Sequence, residues 1–336
     1  MQIRKTLYFT APHKIEICED VFPVPASDQV LVETILSAIS PGTEMLVYRG
    51  QFPDMTVDAS IEALAGKFAY PLAYGYACVG RVVEIGKLID RAWENRLVFA
   101  FQPHTSHFVA APNSLFPIPN SLSLENACFL PNTETAVNLV QDAAPIIGER
   151  VLVFGQGVIG LLTAALLAEF PLESLVSADL FPCRRAASVA LGAGAALDPN
   201  SEDFRAQAGS FLKSGADLTL ELSGAPAALN DAIALTAFSG RIVIGSWYGE
   251  KRAELNLGGS FHRSRIKLIS SQVSTIAPEL SARWDKPRRF GVVWNALQRI
   301  CPEKWITHRF PFEKAADAYH LLDENPQETI QVIFEY

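Results

Sequence analysis

A glycine-rich turn, followed along the chain by one acid, is the feature of this sequence that most directly indicates chemistry. The segment VLVFGQGVIG combines a buried-strand pattern with Gly155, Gly157 and Gly160, and the helical pattern LLTAALLAEF follows it. In such a turn the first glycine allows the tight bend, the second lets the backbone approach a pyrophosphate, and the third allows close helix packing. Strand, turn and helix in this order predict a dinucleotide site.

The acid that completes this pattern is Asp179, which closes the next apolar run, SLVSAD. A carboxylate here accepts hydrogen bonds from the adenosine ribose and repels a 2′-phosphate, so NAD is favoured over NADP. Val158 and Ile159 begin the helix, whose N-terminal N–H groups bind phosphates. Arg184 and Arg185 follow Asp179 closely, and a phosphate held by them is the alternative.

Composition excludes several classes of function. The 336 residues carry a net charge of −8, which argues against nucleic acid or an anionic membrane as the main partner. The five cysteines form no CxxC pair, as in proteins of a reducing cytoplasm. No signal-peptide pattern opens the chain, and no apolar run reaches the roughly 18 residues of a membrane helix. We therefore expect a cytoplasmic protein with a small-molecule substrate.

The pattern along the chain predicts two domains. Residues 1–124 are β-rich, with strands such as VLVETIL and GRVVEI between Pro and Gly turns. Ser123 is predicted to cap a helical stretch that contains one proline. Residues 125–289 alternate strands and helices, which indicates a parallel sheet with right-handed crossovers. The tail, about 290–336, reads strand, helix, strand and is expected to complete the first domain.

Several stretches resemble the medium-chain dehydrogenase/reductase superfamily, and together they span almost the whole chain: SAISPGTEMLVYRG, YPLAYGYACVGRVVEIG, GQGVIG, SGRIVIGSWYG and ITHRFPFEKAADAY. Within it, IS-x-GTE and YPL-x-x-GY-x-x-VGRVVE resemble the subgroup typified by bacteriochlorophyllide dehydrogenase. The resemblance implies an α/β protein with a GroES-like β-rich catalytic domain and a Rossmann doubly wound domain, with the active site in the cleft between them. It also implies a homodimer or tetramer, and we expect a homodimer.

The departures from the family pattern concern zinc. Zinc-dependent members bind a catalytic metal, and the resemblance places the ligand positions at Pro41, at Tyr76 and near Asn132. None of these residues is a good zinc ligand, and the four-cysteine lobe of the family is absent. We therefore predict that the chain binds no metal. A non-standard site built from four other side chains is the alternative: His104, His107, Glu44 and Glu134.

Without zinc, hydrogen-bond donors must stabilise the oxyanion that develops when a hydride moves to or from a carbonyl carbon. The resemblance places Thr43 where relatives keep a proton-relay hydroxyl, and Tyr76 replaces a ligand. Tyr76 is a catalytic candidate if a bound cofactor lowers its pKa, and otherwise a wall residue. His104 is a candidate at the mouth of the cleft, the alternative being a surface loop. Glu44 is expected to anchor its loop or pair with an arginine.

Further candidates for the cofactor site follow the later strands. Thr135 is expected to touch the nicotinamide ring from a segment that Asn132 and Glu134 open. Ser223, Ser246 and Gln272 stand at or after strand ends, where ligands bind in open sheets. The sequence thus predicts a zinc-independent, NAD-dependent oxidoreductase acting on a secondary alcohol or ketone of a larger metabolite, such as a sugar, cyclitol or tetrapyrrole-like ring. The alternatives are an NADPH-dependent quinone or enone reductase and a catalytically silent NAD-binding protein.

Overall fold

The computed structural model describes residues 3–53, 56–57 and 66–336. The chain forms two compact units, Met1–Pro131 with Leu297–Tyr336, and Asn132–Ala296. The first unit is therefore discontinuous in sequence, and the second is inserted into it. The divisions lie inside two helices, seven residues after the predicted limits of 124 and 289. Among the described helices, none has the length and apolar character needed to cross a membrane.

The part of the first unit that precedes residue 131 is rich in short strands. These are β1 (Ile3–Ala11), β2 (Lys14–Val21), β3 (Val30–Ala38), β4 (Thr56–Val57), β5 (Gly66–Lys67), β6 (Leu72–Ala73), β7 (Cys78–Ile85), β8 (Leu97–Ala100), β9 (His107–Ala110) and β10 (Phe116–Pro117). Its helices are α1 (Glu44–Tyr48) and α2 (Leu124–Ala127).

The second unit alternates strands and helices. Its strands are β11 (Arg150–Phe154), β12 (Ser174–Ala178), β13 (Ala195–Leu197), β14 (Ala216–Glu221), β15 (Thr236–Ile244) and β16 (Lys267–Ser270). Its helices, the first and last of which also enter the first unit, are α3 (Leu130–Ala143), α4 (Val158–Leu167), α5 (Pro182–Ala190), α6 (Phe204–Leu212), α7 (Ala228–Leu235) and α8 (Lys286–Ile300).

The tail adds β17 (Ile306–Pro311), α9 (Ala315–Glu324) and β18 (Gln331–Glu335) to the first unit. Strand β18 pairs with β3, so the main sheet of this unit has the order β10-β8-β7-β3-β18-β17, and β9 pairs with β3. Four residues of β18 are fully buried, among them Phe334. Burying such side chains contributes about 1.5–3 kcal/mol each, which explains why the tail returns to this sheet.

The sheet of the second unit is parallel and has the order β13-β12-β11-β14-β15-β16. This is the doubly wound strand order 3-2-1-4-5-6. From β11 the chain adds strands first on one side, and from β14 it adds them on the other side. Residues 151–154 of β11 are all buried, as expected for a strand with helices on both faces of its sheet. The turn at Gly155 therefore lies at the switch point, where ligands bind in folds of this kind.

The helical stretch predicted after Ser123 differs in one respect. Ser123 does cap it, because its Oγ accepts a hydrogen bond from the Asn126 N–H at 3.1 Å. The stretch is however divided into α2 and α3, and Pro131 is the second residue of α3. Proline is tolerated in the first turn of a helix but not in its interior, so the break falls just before it.

Candidate cofactor and catalytic sites

The glycine turn after β11 leaves room for a ligand at one position and excludes side chains at two others. Gly155 has φ +84°, and a Cβ added there would lie 2.5 Å from the Leu222 carbonyl. A Cβ at Gly160 would lie 1.9 Å from the Gly155 oxygen. At Gly157 the nearest heavy atom, on Arg184, would be 4.0 Å away. Gly157 precedes α4 without any side-chain cap, so the first N–H groups of the helix are available.

Asp179 ties this turn to the end of the neighbouring strand. Its Oδ2 accepts from the Gln156 N–H at 2.6 Å, and its Oδ1 accepts from the Phe181 N–H at 2.8 Å. The residue is 7% exposed. Each carboxylate oxygen has two lone pairs, so each keeps one for a further donor such as a ribose hydroxyl. The cofactor role predicted for Asp179 stays a prediction, and its structural role in fixing the turn is added to it.

The two arginines that the sequence left as alternatives take different positions. The Arg184 guanidinium lies 4.7 Å from the centre of the Phe181 ring and beside Gly157. Burial lowers the Arg184 pKa, and the nearby Asp179 carboxylate opposes that change. Arg185 instead donates to the carbonyls of Asp179 and Leu180 and pairs with Asp198 at 3.1 Å. Only Arg184 is therefore placed to contact a molecule bound at the turn.

Gln156, the residue between the first two glycines, was missed by the sequence analysis. Its side chain is fully buried, and its Nε2 donates to the Gly155 carbonyl at 2.9 Å. Its Oε1 has no hydrogen-bond partner. An unsatisfied buried acceptor is costly, so a donor such as a buried water molecule would stabilise it. The turn fits a dinucleotide by the space at Gly157 and by its free N–H groups.

Ser223 and Ser246 follow β14 and β15 and meet at the carboxyl end of these strands. Ser246 Oγ accepts from the Gly224 N–H at 2.9 Å. Ser223 donates through its hydroxyl and its N–H to Glu221, a fully buried carboxylate that the sequence analysis also missed. Tyr248 Oη donates to the other Glu221 oxygen at 2.5 Å. The sequence signal for Glu221 was an acid at the last position of the apolar run DLTLE.

The residues of α3 predicted to lie near nicotinamide are held by an ion cluster. Glu134 Oε1 accepts from Arg289 Nη2 and from Lys286 Nζ, both at 2.8 Å. The Arg289 side chain is fully buried. Thr135 follows Glu134 on the same helix, while Gln272 bonds with Ser274. The predicted contacts of these residues with a cofactor stay predictions.

In the first unit, three hydroxyl groups come together: those of Ser40, Thr43 and Tyr76. Tyr76 Oη donates to Ser40 Oγ and lies 3.4 Å from Thr43 Oγ1. Burial raises the Tyr76 pKa, and the hydrogen bonds with Ser40 and Thr43 oppose that change. The sequence analysis expected a bound cofactor to lower this pKa. Without a cofactor, the raised pKa keeps the phenol protonated. Ser40 was missed as a site residue, although it lies in the same IS-x-GTE motif as Thr43. We call these three residues the hydroxyl cluster.

His104 was expected at the mouth of the cleft or in a surface loop. The structure instead buries its side chain completely. Its Nε2 is 2.9 Å from Glu44 Oε2, and its Nδ1 is 2.7 Å from Ser37 Oγ. Glu44 is equally buried, and it also accepts from the Ser40 N–H at 2.8 Å and from Tyr319 Oη. Glu44 thus anchors its loop, as expected, and it also meets a histidine and a tyrosine, where the expected alternative was an arginine.

Comparison with known proteins adds to this geometry. A model of the family described as zinc-binding dehydrogenase matches residues 158–286. L-galactonate-5-dehydrogenase of Escherichia coli strain K12 is 24% identical over 370 residues, covering 100% of both chains. The structure of RspB from Escherichia coli CFT073, complexed with NADH, covers 99% of both chains at 21% identity with a TM-score of 0.79. The chain belongs to the medium-chain dehydrogenase/reductase superfamily.

The fold shared with solved members of this superfamily confirms the predicted fold class. A dehydrogenase from Sinorhizobium meliloti 1021, bound to NADP, matches 100% of both chains at 17% identity with a TM-score of 0.77. The β-rich unit corresponds to the GroES-like domain of such dehydrogenases and the parallel sheet to their Rossmann domain. Their structures hold NADH in one case and NADP in the other.

The possible metal ligands named from the sequence lie in several different places, and the absence of a metal stays a prediction. Pro41 and Tyr76 lie outside the stretch that matches the zinc-binding dehydrogenase model. Throughout residues 3–53, 56–57 and 66–336, no three His, Cys, Asp or Glu side chains come together as metal ligands do. Of the alternative set, Glu44 and His104 do meet, but His107 lies 3.9 Å from Glu33. Glu134 is paired with Arg289 instead.

Proposed function

We propose that this chain is a zinc-independent, NAD(H)-dependent oxidoreductase that interconverts a secondary alcohol and a ketone of a sugar-like metabolite. The observation that carries the proposal is the hydroxyl cluster, in which Tyr76 contacts Ser40 and Thr43. The sequence resemblance puts Tyr76 at a metal-ligand position of zinc-dependent relatives and Thr43 at their proton-relay position. The relatives named L-galactonate-5-dehydrogenase and D-guloside 3-dehydrogenase support a sugar-like substrate. The glycine turn with Asp179 and Arg184 supports the cofactor.

The hydroxyl cluster supplies the proton chemistry that this reaction needs. When a hydride reaches the ketone carbon, negative charge develops on the oxygen and must be stabilised by donors or a proton. Burial keeps the Tyr76 phenol protonated, and the positive charge of a bound nicotinamide would have to lower its raised pKa for it to act as the acid. Ser40 Oγ accepts the Tyr76 proton in a hydrogen bond, and Thr43 Oγ1 is a second acceptor, 3.4 Å from Tyr76 Oη. In the alcohol-oxidising direction the same groups take the proton back.

A nicotinamide cofactor bound at the glycine turn supplies or accepts the hydride. The N–H groups that begin α4 would hold the pyrophosphate, since Gly157 offers no obstructing side chain. Asp179 retains one lone pair on each oxygen for the ribose hydroxyls. Its charge also disfavours a 2′-phosphate, which is the reason for preferring NAD.

A second candidate rests on the position of Arg184. A guanidinium beside Gly157 is suited to bidentate recognition of a phosphate, including the 2′-phosphate of NADPH. If that contact outweighs the repulsion from Asp179, the chain is an NADPH-dependent reductase of a quinone or enone. The two candidates differ in cofactor and in substrate, so one experiment separates them.

The test is a fluorescence titration of the purified protein with NADH and, in parallel, NADPH. We expect saturable binding that favours NADH, followed by turnover of a polyol or its ketone that a metal chelator leaves unchanged. A preference for NADPH would transfer support to the second candidate. Loss of turnover with chelator would contradict zinc independence. Binding without turnover across polyols, ketones, quinones and enones would instead support a catalytically silent NAD-binding protein.

We also propose that the chain forms a homodimer. Strand β16 is an edge strand of the parallel sheet, and Leu268 on it is 37% exposed. Phe238, at the neighbouring strand β15, is 71% exposed. An unpaired edge with exposed apolar side chains is suited to pairing with a second chain. Light scattering at several concentrations should give the mass of two chains, and the mass of one chain throughout would contradict the dimer.

A further inference from the structure

The buried pair of Glu44 and His104 is not accounted for by stability alone. Both side chains are fully buried, and Glu44 Oε2 lies 2.9 Å from His104 Nε2. Two ionisable groups removed from water gain little net stability from each other, because desolvation offsets their attraction. Apolar side chains of similar volume would fill the same space at no such cost. We therefore look for the role of the pair in the residues that Glu44 and His104 contact.

Glu44 controls one side of the hydroxyl cluster. Its Oε1 accepts from the Ser40 N–H at 2.8 Å, and the Ser40 hydroxyl is the acceptor for the Tyr76 phenol. Its Oε2 accepts from Tyr319 as well as from His104. Burial raises the Tyr319 pKa, so this phenol stays protonated and continues to donate. The carboxylate thus fixes the backbone of the residue to which Tyr76 is bonded.

His104 controls the other side, the segment that leads into Tyr76. Its ring lies against Gly75, where an added Cβ would come within 2.7 Å of His104 Cδ2. Gly75 has φ +118°, a conformation that other residues rarely adopt. The His104 N–H also donates to the Tyr74 carbonyl at 3.4 Å. The imidazole and its backbone together hold the two residues before Tyr76 in place.

We propose that the Glu44–His104 pair is a positioning device for Tyr76. One partner holds Ser40 and the other holds Tyr74 and Gly75, so a single buried pair sets the separation of Tyr76 from the hydroxyl that it meets. Both side chains lack solvent exposure and are positioning residues, not catalytic ones. The inference rests on the proposed function, in which Tyr76 supplies the proton.

The test follows the Tyr76 phenol directly, in protein labelled with 13C at the ζ carbon of tyrosine. Loss of one signal in Tyr76→Phe assigns it. We expect Glu44→Gln and His104→Leu to shift or broaden that signal and to lower turnover about 100-fold, since a misplacement of about 1 Å has such an effect. The affinity for NADH should not change. His104→Gln keeps an amide that can reach Glu44 and should restore part of both readouts.

His107→Gln is the matched control, because this histidine lies three residues away on β9 and outside the network. It should leave the Tyr76 signal and turnover unchanged. If Glu44→Gln and His104→Leu fail to fold, Glu44→Asp is the substitute. It keeps the carboxyl group, but its shorter side chain cannot reach both Ser40 and His104. A Tyr76 signal in folded Glu44→Asp identical to that of the natural protein would overturn the proposal, whatever happens to the melting temperature.

The positioning role of the Glu44–His104 pair and the proposed dehydrogenase function can be tested separately. The tyrosine signal requires neither substrate nor cofactor, so the positioning role is decided even in a protein that turns over nothing. Absence of dehydrogenase activity in the natural chain would overturn the proposed function alone. Unchanged tyrosine signals beside normal polyol turnover would overturn the positioning role alone.

Discussion

The glycine turn of the second unit and the hydroxyl cluster of the first are built in opposite ways. In the turn, backbone space at three glycines of one short stretch, Gly155, Gly157 and Gly160, decides what fits. The hydroxyl cluster takes Tyr76 from a segment far along the chain from Ser40, and His104 and Tyr319 complete its support. A site made of backbone space can be recognised from residue types at fixed spacing. A site made of converging side chains requires the fold.

The largest expected effect is on the fold around the turn. In Gly160→Ala the new Cβ would lie 1.9 Å from the Gly155 carbonyl oxygen, a clash that only a backbone shift can relieve. We expect the free energy of unfolding to fall by about 3 kcal/mol, with loss of cofactor binding. Gly157→Ala is the matched control, because its nearest neighbour would be 4.0 Å away.

The control separates a structural glycine from a ligand-facing one. Gly157→Ala should stay within about 1 kcal/mol of the natural stability, because only the residue preceding the helix changes. Its NADH affinity should nevertheless fall, since the methyl group occupies the approach of the pyrophosphate. Urea unfolding and an NADH titration on both variants measure the two effects. Equal loss of stability in both would mean that the turn has no open position.

The second largest effect tests the hydroxyl cluster. Tyr76→Phe removes the phenol that donates to Ser40 and should lower turnover about 100-fold, within the range for loss of a general acid. NADH affinity should be unchanged. Tyr70→Phe is the control, because Tyr70 Oη donates to the Val47 carbonyl and lies outside the cluster. Steady-state kinetics on both variants decide the matter, and equal turnover in the two would reduce Tyr76 to a wall residue.

The fold was predictable because its signals are local. Apolar runs such as VLVF and DLTLE form the central strands of the parallel sheet, and the tail completes the first unit. The break between α2 and α3 was missed, since Pro131 is compatible with a helix only in its first turn. Local sequence gave no measure of where the helix would restart.

The candidate site was predictable only in part, and His104 shows why. Its position in QPHTSHF gives no sign of burial, because burial follows from β3, α1 and the tail packing around it. The same holds for Glu44, whose expected arginine partner is replaced by His104 and Tyr319 from distant parts of the chain. Ser40 could have been found, since it is part of the IS-x-GTE motif already identified. Glu221 could have been found as a charged end to an apolar strand.

A smaller effect is expected for Asp179, which follows β12 and bonds with the glycine turn after β11. Asp179→Ala removes the acceptor for the Gln156 and Phe181 N–H groups and for the ribose. We expect NADH binding to weaken by about 1.5 kcal/mol, roughly tenfold, the value of one charge-assisted hydrogen bond. The preference for NADH over NADPH should narrow at the same time. Parallel titrations measure the ratio, and an unchanged ratio would remove Asp179 from cofactor choice.

The smallest effect concerns His107, the partly buried histidine three residues beyond the Glu44–His104 pair. Burial lowers its pKa below the usual 6.5, and Glu33 opposes that change. The unfolded chain therefore takes up this proton first as the pH falls, so stability should decline from pH 6.5 down to the lower folded pKa and then level off. His107→Gln should remove that decline, as measured by urea midpoints between about pH 8 and pH 5. An equal decline in both proteins would assign it to another titratable group.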